Sequence, residues 1–322
     1  MTRRAAGLCV LLAACASGEL LRLQKNGDAM GTTFSIIVYG TGLKDMEAAT
    51  GAAFAELQRL DGMLSNYKAG SEWSLVNRFA AQRPVKVSPE LFHLLSECLR
   101  YSRQTGGAFD ISVGPLVKVW GFYGGRGQLP RPEDVTAALA LVGYRRLRLD
   151  DTAGTVSFDL SGVEIDPGGI GKGYAVDRMA GILRQHGLAT ALVTASGSSI
   201  YGMGAPPEEP RGWRVEISHP KDRRRSVAEV FLKDMAISTS GTYEKSFRRG
   251  GRTFSHIIDP RTGRPAEGME SVTVVAPHAI DTEAWTKPYF INGRAWAAAH
   301  RPNNFWVYLC EDRGSAGCAW VE

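Results

Sequence analysis

Two stretches of this chain hold residues whose types and spacing can do chemistry. Residues 166–178 read DPGGIGKGYAVDR, a strand end that turns on glycines and enters a helix. Such a turn aims backbone N–H groups and the positive end of the helix at one place, which suits a phosphate. Lys172 adds a point charge there. The spacing fits neither a Walker loop, because Gly173 rather than Ser or Thr follows Gly171-Lys172, nor a Rossmann fingerprint. A merely tight strand-to-helix turn is the competing interpretation. Residues 254–265 read FSHIIDPRTGRP, with a histidine in a short apolar run ahead of Asp-Pro and a Gly-containing turn. An imidazole with an ordinary pKa of about 6.5 accepts a proton at neutral pH. His256 is therefore either a general base or a core histidine that happens to titrate. Three further stretches, AMGTTFSI (29–36), TGGAFDISVGPL (105–116) and AISTSGTYEKSF (236–247), are rich in glycine or hydroxyls.

Regular elements must position these loops. Strands are expected at 32–40, 154–160, 162–166, 189–195, 213–217, 228–232, 254–258 and 270–276, where β-rich residues alternate or form short apolar runs. One helix is expected over 46–64, with Phe54, Leu57, Leu60 and Leu64 on one face. A second runs from the Ser88 cap to the Gly106-Gly107 stop, with Leu91, Leu95 and Cys98 inward and His93 as a surface or packing residue. A third spans 173–186, with Val176, Met179, Ala180 and Leu183 inward and Gly187 as its stop. A last helix starts near Asp281 and is interrupted at Pro288, which has no N–H to donate. The 322 residues are 44% hydrophobic and 22% charged, enough for a substantial core. With no repeat, low-complexity tract or long linker, residues 19–322 read as one α+β domain. The net charge of +5 gathers partly in HPKDRRR (219–225), a solvated loop or a patch for acidic lipid or a polyanion. No basic patch is interleaved with aromatics, so nucleic acid is not an expected partner.

Taken in order, these stretches resemble the ApbE family, the bacterial FAD:protein FMN transferases. Five motifs carry the resemblance between Met30 and Gly293: Met-Gly-Thr at 30–32, SNYKAGSEWS at 65–74, Gly-Gly-Ala-Phe-Asp at 106–110, the run from Asp166 to Asp177, and Ser-His-Ile-Ile-Asp-Pro-x-Thr-Gly at 255–263. The resemblance implies an α+β fold of mixed or antiparallel sheets packed with helices. It also implies an enzyme that cleaves FAD, joins the FMN half through its phosphate to a Ser or Thr of an acceptor protein, and releases AMP. The flavin-nucleotide site then falls on Met30, Tyr67, Ala108, Phe109, Asp110, Asp166, Lys172 and the strand around Ile258. Met30, Tyr67 and Phe109 offer apolar or aromatic surface to a ring. Asp110 and Asp166 accept from ribityl, ribose or base donors, and Lys172 neutralises a pyrophosphate oxygen. His256 matches the histidine beside the reacting phosphate, which makes it the expected catalytic base. Asp177 is explained equally by a surface salt bridge and by a site role.

The resemblance further implies Mg²⁺, held by a carbonyl in the Gly-rich turn and by an Asp and a Thr four residues apart on the last helix. Here the carbonyl position is Gly169, the Asp position is Glu283 and the Thr position is Lys287, preceded by Thr286. The expected metal set is Gly169, Glu283 and Thr286. A Glu carboxylate suits a hard cation, whereas an ammonium at 287 repels one. Lys287 either swings aside, or supplies charge that Mg²⁺ supplies elsewhere, or marks a protein that binds FAD as a carrier and has lost efficient transfer. A register shifted by Pro288 would bring in Asp281. SGSS at 196–199, where many relatives carry two glycines, is a milder departure. Retained transfer is the leading expectation.

The N-terminus MTRRAAGLCVLLAACAS places Arg3 and Arg4 before a short apolar stretch that ends in Leu12-Ala13-Ala14-Cys15. This is the pattern of a secretory signal, too short to span a bilayer, and it resembles a lipoprotein box whose cysteine is acylated. Residues 1–18 are thus an expected signal, and the protein an exported one anchored by lipid at the periplasmic face of the membrane. The implied acceptor is an extracytoplasmic electron-transfer subunit. Cys98 reads as an inert core thiol, and Cys310 with Cys318 could close a disulfide after export. No CxxC pair is present, so zinc is not expected.

Overall fold

The computed structural model describes residues 19–125, 127–312 and 317–322, so the signal and Cys15 lie outside the described residues. A hairpin of β1 (Leu21–Ala29) and β2 (Thr32–Gly40) leads into α1 (Leu43–Leu64), α2 (Glu72–Phe79), β3 (Val85–Lys86) and α3 (Pro89–Gln104). Next come α4 (Gly114–Val119), α5 (Pro132–Leu139), β4 (Leu147–Asp150), β5 (Thr155–Phe158), α6 (Gly171–Gln185), β6 (Thr190–Ala195) and β7 (Ser199–Met203). They are followed by β8 (Trp213–His219), β9 (Asp222–Leu232), β10 (Met235–Gly241), β11 (Ser246–Arg249) and β12 (Arg252–Ser255). The last elements are β13 (Met269–Ala276), α7 (Ala279–His300), β14 (Trp306–Glu311) and β15 (Cys318–Trp320).

Eight strands pair antiparallel into one sheet in the order β1-β2-β6-β7-β10-β13-β14-β15. The two-residue period of a strand gives this sheet two working faces. On β2, Phe34, Ile36 and Val38 join Leu57 and Leu60 of α1 and Val176 and Met179 of α6 in the main core. Ile37 and Tyr39 point the other way, where the β8–β9 hairpin packs Trp213, Ile217 and Leu232 against Ile200, Ile237 and Val275. Helices on one face and a hairpin on the other make an α+β fold. A third apolar cluster, Leu116, Trp120, Phe122 and Ile258 with Phe247 and Phe254, ties α4 to the β11–β12 hairpin.

The expected helices are present. Ser88 caps α3 by accepting from the Leu91 N–H at 3.2 Å, with Leu91, Leu95 and Cys98 buried and His93 exposed. Cys310 and Cys318, paired across β14 and β15, form a disulfide. Three expectations are corrected. Residues 162–166 are extended but not a strand of a sheet. Val113 and Glu164 make an isolated bridge, and side chains of Trp73 and Asn77 satisfy the polar groups of Ile165. Side chains here do what a neighbouring strand does elsewhere. The 254–258 strand stops at Ser255, and Ile258 only bridges to Pro265. Helix α7 passes through Pro288 and breaks instead at Gly293, whose φ of 78° disfavours any side chain. Phe54 shares the face of Leu57, Leu60 and Leu64 and packs half-buried against the core.

Candidate active site

Loop ends from both sides of the main core converge on a cavity of about 460 Å³, within the usual size of a ligand site. Met30, Tyr67, Ala108, Phe109, Asp110, Asp166, Lys172 and Ile258 all line it, as do His256 and Gly169. Glu283 and Thr286 do not. They are buried behind the wall, while Lys287 of the same helix reaches the cavity.

Met30 and Gly31 form the two-residue loop of the first hairpin, both with positive φ (51° and 70°), as a type I′ turn requires. A methionine is uncomfortable there, and Asp61 of α1 holds it by accepting the Met30 N–H at 2.8 Å. Asp61 also pairs with Lys68. At the end of α1, Ser65 Oγ accepts from the N–H groups of Tyr67 and Lys68, both at 3.1 Å, which sets the loop carrying Tyr67. The Tyr67 ring is 77% exposed and lies 5.3 Å from that of Tyr123, whose carbonyl accepts its hydroxyl. Phe109 is 3% exposed, edge-on to Tyr101. Tyr67 therefore offers an open ring face at the cavity mouth, and Phe109 a fixed inner wall.

The carboxylates do different work from that expected. Asp110 Oδ1 accepts from Ser112 N at 2.8 Å and Ser112 Oγ at 2.7 Å, and its Oδ2 from Tyr144 N at 2.5 Å. It braces two loops rather than facing a ligand with free oxygens. Burial still pushes its pKa up, to about 6. Asp166 accepts from Gly168 N and Asn66 Nδ2, at 2.8 and 2.9 Å, and burial raises its pKa as well. Asp177 is neither a surface ion pair nor a site residue. Its two oxygens accept the Ala279 and Ile280 N–H groups at 2.8 Å each, capping α7 from α6. Its pKa also rises to about 6 through burial. A carboxylate supplied by another helix thus satisfies two orphan donors of an N-terminus that has no side-chain cap of its own.

The Gly-rich turn likewise spends its donors internally. Gly168 N–H goes to Asp166, those of Ile170 and Gly171 go to the Pro167 carbonyl, and that of Gly173 goes to Glu283 Oε2 at 2.6 Å. Much of the backbone-donor cradle read from the sequence is already occupied. Positive charge at this end of the cavity comes from side chains. Lys172 Nζ sits 3.3 Å from Glu283 Oε1. Burial works against its ammonium, but Glu283 and Glu244 outweigh that and raise its pKa. Lys287 Nζ donates to the Glu283 carbonyl at 2.8 Å and to the Gly169 carbonyl at 3.4 Å. Burial and neighbouring Lys172 pull its pKa down to about 8, against the attraction of Glu283.

His256 stands at the base of the β11–β12 hairpin, with the Phe122 ring edge-on at 6.4 Å. Its Nδ1 is 3.0 Å from the Lys245 carbonyl. A carbonyl only accepts, so Nδ1 carries the proton and Nε2 keeps its lone pair. Burial drives the pKa down to about 4, and the positive charges of Lys287, Lys245 and Lys172 push the same way. The imidazole is neutral at pH 7 with one basic nitrogen. Asn66, Asp61 and Tyr123 went unread in the sequence. Asn66 sits in the SNYK stretch beside Tyr67, where a polar residue flanking a site aromatic was the available signal.

The model of the ApbE family matches residues 30–306. The FAD:protein FMN transferase of Salmonella typhimurium is 36% identical over 303 residues, 92% of this chain and 86% of that protein. That of Vibrio cholerae is 34% identical over 277 residues, covering 83% and 80%. Among solved structures, the ApbE protein of Thermotoga maritima superposes with a TM-score of 0.84 at 28% identity, covering 93% of this chain and 96% of that one. The flavin transferase ApbE of Vibrio cholerae does so with a TM-score of 0.81 at 29% identity, covering 94% and 96%. With the sequence motifs gathered around one cavity and the fold matched over nearly its whole length, the chain belongs to the ApbE family.

Proposed function

We propose that this protein is an FAD:protein FMN transferase that attaches FMN covalently to a Ser or Thr hydroxyl of an acceptor protein. The observation that carries the proposal is the neutral His256 with a free Nε2 in the cavity that also holds the nucleotide residues and three lysines. The acceptor oxygen forms a bond to the FMN phosphorus, the phosphoanhydride bond to the AMP half breaks, and AMP departs. The hydroxyl proton passes to His256 Nε2 and then to water. Lys172 and Lys287 lower the cost of charge gathering on the pyrophosphate oxygens. Met30, Tyr67 and Phe109 supply the surfaces on which the rings rest.

The residues do not fit the Mg²⁺ implied by the sequence resemblance. Mg²⁺ requires near-octahedral oxygen donors. Thr286 Oγ1 accepts from Ser240 and donates to the Glu283 carbonyl, both at 2.8 Å; Glu283 Oε2 holds the Gly173 N–H, and Oε1, which has no hydrogen-bond partner, faces the Lys172 ammonium at 3.3 Å. The Gly169 carbonyl accepts from Lys287. Among the described residues, no group of three or more His, Cys, Asp or Glu side chains stands close enough to bind a metal. No step is assigned to a metal.

The carrier alternative has no observation of its own, since Lys287 finds partners inside the site rather than blocking it. Export with a lipid on Cys15, and an extracytoplasmic electron-transfer subunit as acceptor, belong to the same proposal. The Cys310–Cys318 disulfide supports an oxidising compartment. The test incubates the purified protein with FAD and a flavoprotein domain bearing a Thr acceptor, following acceptor mass and AMP. Equimolar flavinylation and AMP are expected, lost in His256→Asn with FAD binding retained. Unchanged transfer by His256→Asn would remove the base role.

A further inference from the structure

The charge at the pyrophosphate end of the cavity comes from the chain itself. Lys287 lies one turn beyond Glu283 on α7, and its ammonium has three N–H donors. Two go to the carbonyls of Glu283 and Gly169, which leaves one for the cavity that the side chain lines. The Gly169 carbonyl is the backbone oxygen that the sequence resemblance assigns to a metal. A divalent ion ligated by it would stand within a few ångströms of an ammonium bonded to the same atom. Lys172 brings a second ammonium to the other side of Glu283. Lys172, Lys245 and Lys287 line the cavity together with Glu244, and Glu283 stands behind them, while four N–H groups of the Gly-rich turn are committed elsewhere. We infer that Lys287 is the built-in cation of this site, neutralising the FAD pyrophosphate in place of a divalent metal, so that the protein binds and cleaves FAD without one.

This inference rests on the transferase reading, and the test separates the two. Affinity for FAD and for riboflavin, which lacks the pyrophosphate, is measured by flavin fluorescence quenching with EDTA and with millimolar Mg²⁺. AMP release and acceptor flavinylation are followed in the same buffers. The wild type is expected to bind FAD equally in both buffers and to release AMP in EDTA. Lys287→Met is expected to lose at least about tenfold in FAD affinity in EDTA, a difference of about 1.4 kcal/mol, with riboflavin affinity unchanged. A wild-type protein whose FAD affinity or AMP release collapses in EDTA and returns with Mg²⁺ would overturn the inference. So would Lys287→Met binding FAD as the wild type does, or losing riboflavin affinity in parallel, which marks a structural tether. Absence of AMP and flavinylation in every buffer would instead defeat the transferase reading, with FAD affinity still ruling on Lys287.

Discussion

At Gly173 α6 and α7 approach closely beside the site, and replacing it by alanine tests how far the site depends on that seam. A methyl group at Gly173 would lie 2.8 Å from the Ala279 carbonyl carbon, nearer still to its oxygen, and 3.0 Å from Glu283 Cβ. Carbon contacts are comfortable at about 3.5–4.0 Å, so the helices must part by about 1 Å. That movement carries the 2.6 Å bond from Gly173 N to Glu283 Oε2 out of hydrogen-bond range. Losing a hydrogen bond to a charged group costs about 1.5–3 kcal/mol, and forcing atoms into a packed interior about 1–3 kcal/mol. Alanine returns about 1 kcal/mol of helix propensity, which leaves a net loss of about 1.5–5 kcal/mol. Gly181 lies on the same helix with nothing within 4 Å of its would-be methyl, so Gly181→Ala should stabilise by up to about 1 kcal/mol. Urea unfolding followed by circular dichroism measures both. Gly173→Ala within about 1 kcal/mol of the wild type, or no less stable than Gly181→Ala, would refute the close approach.

The pH dependence of kcat/KM reports the free enzyme's base. In the proposed mechanism His256 acts when deprotonated, and its pKa is depressed to about 4, so transfer should hold steady from pH 7 down to about 5 and halve near 4. An acid limb near pH 6.5 would mean an ordinary, solvated imidazole. The proposed lipid anchor is checked by growing cells on labelled palmitate: the protein should carry the label in the membrane fraction, and Cys15→Ala should lose it and leave the membrane.

Local signals found the loops of the site but not the jobs of their charged residues. The Ser88 cap and the glycines before α6 announce themselves because each obeys a short-range rule of backbone geometry. Asp177 could not be assigned that way. Its role depends on where the start of α7 docks, about a hundred residues further along the chain. Asp110 fits a ligand acceptor in the sequence, yet Ser112 and Tyr144 occupy its oxygens in the fold. The false strand at 162–166 has a related cause. An extended segment normally needs a neighbouring strand, but Asn77 and Trp73 satisfy this one from a helix. In α7 the proline drew attention away from the glycine. Pro288 removes one hydrogen bond, which a helix packed on β10 and β13 tolerates, whereas Gly293 adopts a positive φ that ends the turn.

Lys287 was visible in the sequence as a departure, and the fold turns that departure into chemistry. A strand-to-helix turn that kept its N–H groups free could cradle a diphosphate by itself. This one closes on Asp166, Pro167 and Glu283, so charge neutralisation must come from side chains or from a metal. A buried carboxylate such as Glu283, 2% exposed, needs compensating positive charge. Lys172 and Lys287 flank it, one by an ion pair and the other through its backbone carbonyl. The same two groups are poised to meet the negative charge of an incoming pyrophosphate. Binding FAD would then extend an existing charge network rather than create one, which is why the affinity of Lys287→Met for FAD relative to riboflavin is the measurement on which the site's chemistry turns.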